Sequence, residues 1–153
     1  MKALELKIPP ALLVLAFGFL MWLLDRGLPQ YKQTGAAYEW LAIAVFVLAM
    51  LFVAAGIASF KSAKTTVDPT QPQKTTAMVT GGIYGYTRNP MYLGFFLMLL
   101  AYATKLANPF TLTLLPVFVA YMNQFQIKPE EAALDQLFGL AFTEYKRQVR
   151  RWI

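Results

Sequence analysis

The 153-residue chain contains no cysteine and no histidine. The first absence excludes disulfides and thiol chemistry. The second removes a common zinc ligand and the side chain that most readily acts as a general base near neutral pH. Charge is scarce too: Asp, Glu, Lys and Arg make up 14% of the residues, against 58% hydrophobic. No acidic side chain falls in the middle of a long apolar run. That argues against a proton-coupled transporter, whose working part is a membrane-embedded carboxylate.

What is abundant is apolar sequence. Residues 8–24 and 37–60 are apolar at nearly every position, with Glu39 near the start of the second run. At about 1.5 Å per residue, some 17 residues span roughly 25 Å and 20 span about 30 Å, the hydrocarbon thickness of a bilayer. A soluble protein of this size could bury one such helix but hardly four. The runs 8–24, 38–60, 91–104 and 106–127 therefore predict an all-α integral membrane protein with four transmembrane helices. Residues 1–153 form one membrane domain: two N-terminal helices over 1–60, then a functional core over 61–153. Lys2 and Lys7 ahead of the first run resemble a signal peptide. No small-x-small cleavage site follows Trp22-Leu23-Leu24-Asp25-Arg26, so a retained helix is expected.

Only Lys105 and its neighbours separate the last two runs, which predicts a tight helix 3–4 hairpin. Asn108-Pro109 suits the first turn of the fourth helix, and Pro116 predicts a kink within it. Gly94 predicts a close backbone approach. Eleven cations, Lys2, Lys7, Lys61, Lys64, Lys74, Arg88, Lys128, Lys146, Arg147, Arg150 and Arg151, fall on one side of the spans. Arg26, Lys32 and Lys105 fall on the other. By the positive-inside rule both termini and the 61–90 loop are cytoplasmic. The net charge of +6 is then a topological signal with attraction to anionic lipid, and no nucleic-acid partner is expected.

The 61–80 loop, rich in Thr, Pro, Gln and Lys, is expected along the membrane surface or around the site mouth, anchored by Val67, Met78 and Val79. After the fourth span, Pro129 fits a helix N1 position with Glu130 and Glu131 behind it, where acidic groups suit the helix dipole. Gly139 is expected to cap or break this helix. An amphipathic run follows, with Phe142, Tyr145, Val149 and Trp152 on its apolar side. Its Lys146, Arg147, Arg150 and Arg151 are available to headgroups.

Chemistry-bearing residues converge at one depth. Arg88, Asn89 and Tyr92 open the third span, and Glu130 and Glu131 follow the fourth. A short hairpin brings both ends together, so charges of both signs face one cleft. Such a cleft suits a zwitterionic cofactor: Arg88 for a carboxylate, a glutamate for an ammonium or ribose hydroxyls, Tyr92 or Tyr86 beside a base or sulfonium. The bland alternatives are a topological charge at Arg88 and a helix N-terminus at the glutamates. Asn123, Gln124 and Gln126 lie near the same end and are equally compatible with an interfacial role.

The pattern Gly82-x-Tyr84-x-x-x-Arg88-Asn89-Pro90-x-Tyr92-x-Gly94, a hydrophobic hairpin, then Glu130-Glu131-x-x-Leu134-x-x-x-Phe138-Gly139 and Tyr145 resembles the isoprenylcysteine carboxyl methyltransferase family. That broad family of small membrane methyltransferases is also similar to phospholipid N-methyltransferases. The resemblance covers roughly residues 65–151. It implies S-adenosylmethionine bound at the cytoplasmic face by Tyr86, Arg88, Asn89, Tyr92, Glu130 and Glu131, with Arg88 and Glu131 as the catalytic pair. Tyr84, Gly94, Phe138 and Gly139 match positions of shape and packing. Members usually carry histidine where this chain has Asn89, which can keep a hydrogen bond but cannot titrate.

The function so implied is methyl transfer to a lipophilic acceptor, an isoprenylcysteine-like carboxylate or a lipid amine, at a prokaryotic inner membrane. The lipophilic acceptor would enter sideways between helices and the soluble cofactor from the cytoplasm. Transfer is mainly a matter of positioning. A carboxylate acceptor is already ionised, whereas an amine must lose a proton that no histidine here can take. Two rivals belong to other classes: an NADPH-dependent membrane reductase, and a non-catalytic lipid-binding accessory protein.

Overall fold

The structure, a computed structural model, describes residues 5–63 and 77–153. Lys2, Lys64, Val67 and Lys74 lie outside the described residues, and so does the expected anchoring by Val67. Among the described residues six α-helices follow in order: α1 Pro10–Gly27, α2 Ala36–Ser62, α3 Pro90–Leu106, α4 Leu114–Met122, α5 Lys128–Phe138 and α6 Leu140–Gln148. Three helical stretches among the described residues are long and apolar enough to cross a membrane: Pro10–Gly27, Ala36–Ser62 and Pro109–Phe138. Pro90–Leu106 is a shorter apolar helix.

The core lies between α1, α3 and α4, where Leu13, Phe17 and Met21 meet Leu99, Ala103 and Leu106 of α3 and Leu115, Phe118 and Met122 of α4. Phe17 and Phe118 meet edge to face at 5.4 Å. α2 packs along the opposite side of α3 through small residues. A Cβ on Gly94 would lie 2.5 Å from Val53 Cγ2 and 3.0 Å from the Ala49 carbonyl oxygen, so the close approach expected of Gly94 is present. The outer faces of α1 and α2 expose Leu15, Phe19, Trp40, Leu41 and Leu51. A protein surrounded by water would bury such a face; lipid makes burial unnecessary.

The predicted hairpin is tight. α3 ends at Leu106, Ala107 adopts a left-handed conformation (φ 52°), and Asn108 accepts a hydrogen bond from the Phe110 N–H through its side chain. Pro109 opens a 3₁₀ turn, Pro109–Thr113, and Pro116 falls in the first turn of α4 after it. The proline expected to kink a continuous helix sits beside a change of helix type instead. At this end Asn108 also donates to the Leu28 carbonyl (3.0 Å) and to buried Asp25 (3.4 Å), which pairs with Lys32 at 3.2 Å.

The largest departure from expectation is at Pro129. It does not start a separate helix: α4 runs into α5 through a π-helical turn, Asn123–Ile127. Proline lacks the N–H that would serve the carbonyl four residues back, that of Phe125. That carbonyl accepts instead from the Leu6 N–H at 3.0 Å. Gln126, fully buried, donates to the Ile8 carbonyl at 2.7 Å. The segment before α1 is thus tied to the turn that lets the helix continue through proline.

Candidate active site

The polar site is built from the loop entering α3, the start of α5 and the last residues of α6 with the strap beyond it. Gly82–Gly85 forms a 3₁₀ turn that buries Tyr84 against Phe60 of α2, ring centroids 5.5 Å apart. Tyr145 of α6 donates its hydroxyl to the Tyr84 carbonyl at 2.7 Å. Burial pushes Tyr145 up to about 12, with nearby Arg88 pulling the other way. Tyr84 is raised by burial first, then by Tyr145 and Glu130. Both phenols therefore stay neutral throughout the physiological range.

Gly139 ends α5 at φ 52°, ψ −120°, a conformation only glycine adopts without strain, and α6 turns back from there toward the loop. Phe142, Tyr145 and Val149 bury their side chains with Met78, Leu134 and Phe138. Met78 thus anchors the end of the 61–80 loop, on α5 and α6. Phe138 packs as expected.

Arg88 is the hub. Its Nη2 donates to Glu131 Oε1 at 2.7 Å, and its Nη1 donates to the carbonyls of Val149 (2.6 Å) and Lys146 (3.2 Å). Its backbone N–H donates to the Arg150 carbonyl at 3.0 Å. The Asn89 side-chain amide donates to the Arg151 carbonyl at 2.9 Å, and Thr87, also buried, donates there at 3.4 Å. Arg151 closes the other side of Glu131 through Nε (3.1 Å) and Nη2 (2.5 Å). Tyr92 donates its hydroxyl to Glu130 Oε1. Trp152 Nε1 donates to Asn123 Oδ1 at 3.1 Å, tying the strap to the π turn.

Arg88 meets Glu131 and Tyr92 meets Glu130 across some 40 positions, while Asn89 reaches the Arg151 main chain instead. Tyr86 is not part of the hydrogen-bonded set and stands 81% exposed. Two expectations are corrected. Arg151 and Lys146 do not simply serve headgroups, because Glu131 takes the first and Asp135 the second, at 2.6 Å. Asn123 and Gln126 are internal fastenings of the strap and of the N-terminal segment. Thr87 and Arg151 join this cluster through partners 64 and 20 positions away, which no local pattern signals.

By the length and composition of its apolar helices the chain is an integral membrane protein, with a half-buried cluster of charged side chains at one end of its helical bundle. The chain belongs to the phospholipid methyltransferase family, whose profile matches residues 37–141. It is 41% identical over 63 residues to an uncharacterised protein of Haemophilus influenzae, covering 41% of this chain and all of that one. It is 41% identical over 73 residues to the protein-S-isoprenylcysteine O-methyltransferase of Schizosaccharomyces pombe, and 31% identical over 75 residues to the human one. These matches cover 47% and 49% of this chain but only 30% and 26% of the relatives. The likeness to the isoprenylcysteine enzymes is thus distant and spans about a third of their length or less. No solved structure matches the chain.

Proposed function

We propose that the chain binds S-adenosylmethionine at its charged end and transfers the methyl group to a lipophilic acceptor held between its helices. The observation that carries this is the pairing of two separated blocks, Arg88 with Glu131 and Tyr92 with Glu130, at the end of an apolar bundle. The family and the charge of the site favour the same ligand. The positive-inside bias favours the cytoplasm for this end and for both termini, and the bacterial relative favours a prokaryotic inner membrane.

When bound, the cofactor supplies an electrophilic methyl group. The chain's own residues bind and orient. Arg88 and Arg151 hold Glu131, and the strap they fix covers the loop entering α3. Glu130 accepts from Tyr92 through one oxygen, and its other oxygen has no hydrogen-bond partner among the described residues. That leaves it able to accept from an ammonium or a ribose hydroxyl. An open apolar groove of about 390 Å³ between α1 and α3 is lined by Val14, Leu15, Gly18, Phe19, Trp22, Met98, Leu99 and Tyr102. Met98 lies six residues beyond Tyr92, roughly 9 Å deeper along α3. One hydrocarbon chain entering there from the lipid would leave its head near the charged end.

A carboxylate acceptor suits this site better than an amine, because it needs no proton removed. Methyl-labelled S-adenosylmethionine, incubated with the protein in lipid and either a prenylated cysteine or a lipid amine, tests the proposal. Lipid-soluble label that alkali releases marks a methyl ester; alkali-stable label marks a methylated amine. No label in either acceptor contradicts the proposal.

A further inference from the structure

Glu131 is one carboxylate between two guanidinium groups, so the Arg88–Glu131–Arg151 triad carries one positive charge more than it neutralises. The side chains of Arg88, Glu131 and Arg151 are 11%, 15% and 31% exposed. A surplus charge held this far out of water is costly without a counter-ion. Among the described residues, neighbouring acidic side chains do not supply one. Asp135 is occupied by Lys146 at 2.6 Å and Glu144 by Arg147 at 3.5 Å, while Glu130 engages Tyr92. Arg88 Nε is buried and has no partner among the described residues. The surplus cation of the triad sits one residue along the chain from Glu130, whose side chain engages Tyr92.

We infer that this surplus charge is the subsite for the α-carboxylate of the cofactor, with Arg151 as its second arm beside Arg88. The inference rests on the S-adenosylmethionine proposal and adds to it a binding residue that lies beyond the family match, which ends at residue 141. Guanidinium suits the task because its planar fork meets a carboxylate with two parallel hydrogen bonds, which an ammonium cannot do. The Arg151 main chain is fixed independently, by Asn89 and Thr87 at its carbonyl. Its side chain can therefore change without releasing the strap.

The test is calorimetric titration with two ligands, in wild type, Arg151→Gln and Arg151→Lys. S-adenosylhomocysteine carries the carboxylate. 5′-Methylthioadenosine keeps the nucleoside and thioether but lacks the amino-acid part. Arg151→Gln is expected to weaken S-adenosylhomocysteine at least tenfold and leave methylthioadenosine within about twofold, with Arg151→Lys in between. Retained methylthioadenosine binding also shows that the variant is folded. Where Arg151→Gln does not fold, Arg151→Lys carries the comparison. Equal loss of both ligands by a folded variant, or loss of neither, overturns the subsite alone. A folded wild type that binds neither ligand overturns the cofactor proposal and the subsite with it.

Discussion

Gly94 offers a quantitative check on how the bundle holds the site. Gly94→Ala adds one methyl group where α3 meets α2. The new carbon would lie 2.5 Å from Val53 Cγ2, 3.0 Å from the Ala49 carbonyl oxygen and 3.3 Å from the Val53 amide nitrogen. Two of these are backbone atoms and the third belongs to a stiff β-branched side chain, so the helices must separate. Overpacking of this kind costs about 1–3 kcal/mol, and alanine's better helix propensity returns about 1 kcal/mol. With such rigid neighbours the cost lies at the upper end, for a net loss of about 2 kcal/mol. Gly18 is the control: its added carbon meets nothing within 4 Å, so Gly18→Ala gains about 0.5–1 kcal/mol. Gly56→Ala falls between, because its closest contact, Met91 Cγ at 2.7 Å, belongs to a flexible side chain. The extremes differ by about 3 kcal/mol, or roughly 6–12 °C in Tm for a chain of this size. Thermal unfolding of the three detergent-purified variants, followed by circular dichroism, reads this order. A Gly94→Ala protein as stable as Gly18→Ala would refute the packing argument.

Two further perturbations separate fold from site. Asn108→Ala removes a buried amide that serves the Phe110 N–H, the Leu28 carbonyl and Asp25 at the end opposite the site. It should cost about 1–3 kcal/mol of stability while leaving the affinity for S-adenosylhomocysteine unchanged; a large loss of affinity would show that the two ends are coupled. Tyr145→Phe removes the donor to the Tyr84 carbonyl, an expected cost of about 0.5–1.5 kcal/mol. Its pH dependence has a definite sign. With the folded phenol raised to about 12 from an ordinary 10, the native state keeps the proton longer than the unfolded chain does. The resulting stabilisation is complete below about pH 10 and is lost as pH rises toward 12. Absorbance titration of phenolate should show one late-titrating group missing from Tyr145→Phe; identical titrations would contradict that environment.

The sequence made the helices legible because lipid imposes a one-dimensional rule: a long apolar run must be helical and must span. The tight hairpin followed from Lys105–Pro109, and the meeting of Arg88 with the glutamates followed from the hairpin. Two features were not legible. Pro129 reads locally as a helix start, and only the π turn and the Leu6 N–H, 119 positions before Phe125, let the helix pass through it. Arg151 reads as one more cation in a basic amphipathic run, since its pairing with Glu131 depends on α6 turning back at Gly139. Tyr86, named beside Tyr92 by the same local pattern, is exposed in the protein alone. Local sequence specified which groups were present at this end; tertiary closure decided which of them met.

The most direct measurement is equilibrium binding of S-adenosylmethionine to the purified protein in lipid-supplemented detergent, with Arg88→Ala, Glu131→Ala and Tyr92→Phe alongside. A saturable single site is expected, weakened tenfold or more by the first two substitutions. Tyr92→Phe should weaken it less, because it removes a single hydrogen bond, worth about 0.5–1.5 kcal/mol, and leaves Glu130 in place. Folded wild-type protein that shows no saturable binding would contradict the assignment of this end of the bundle as a cofactor site.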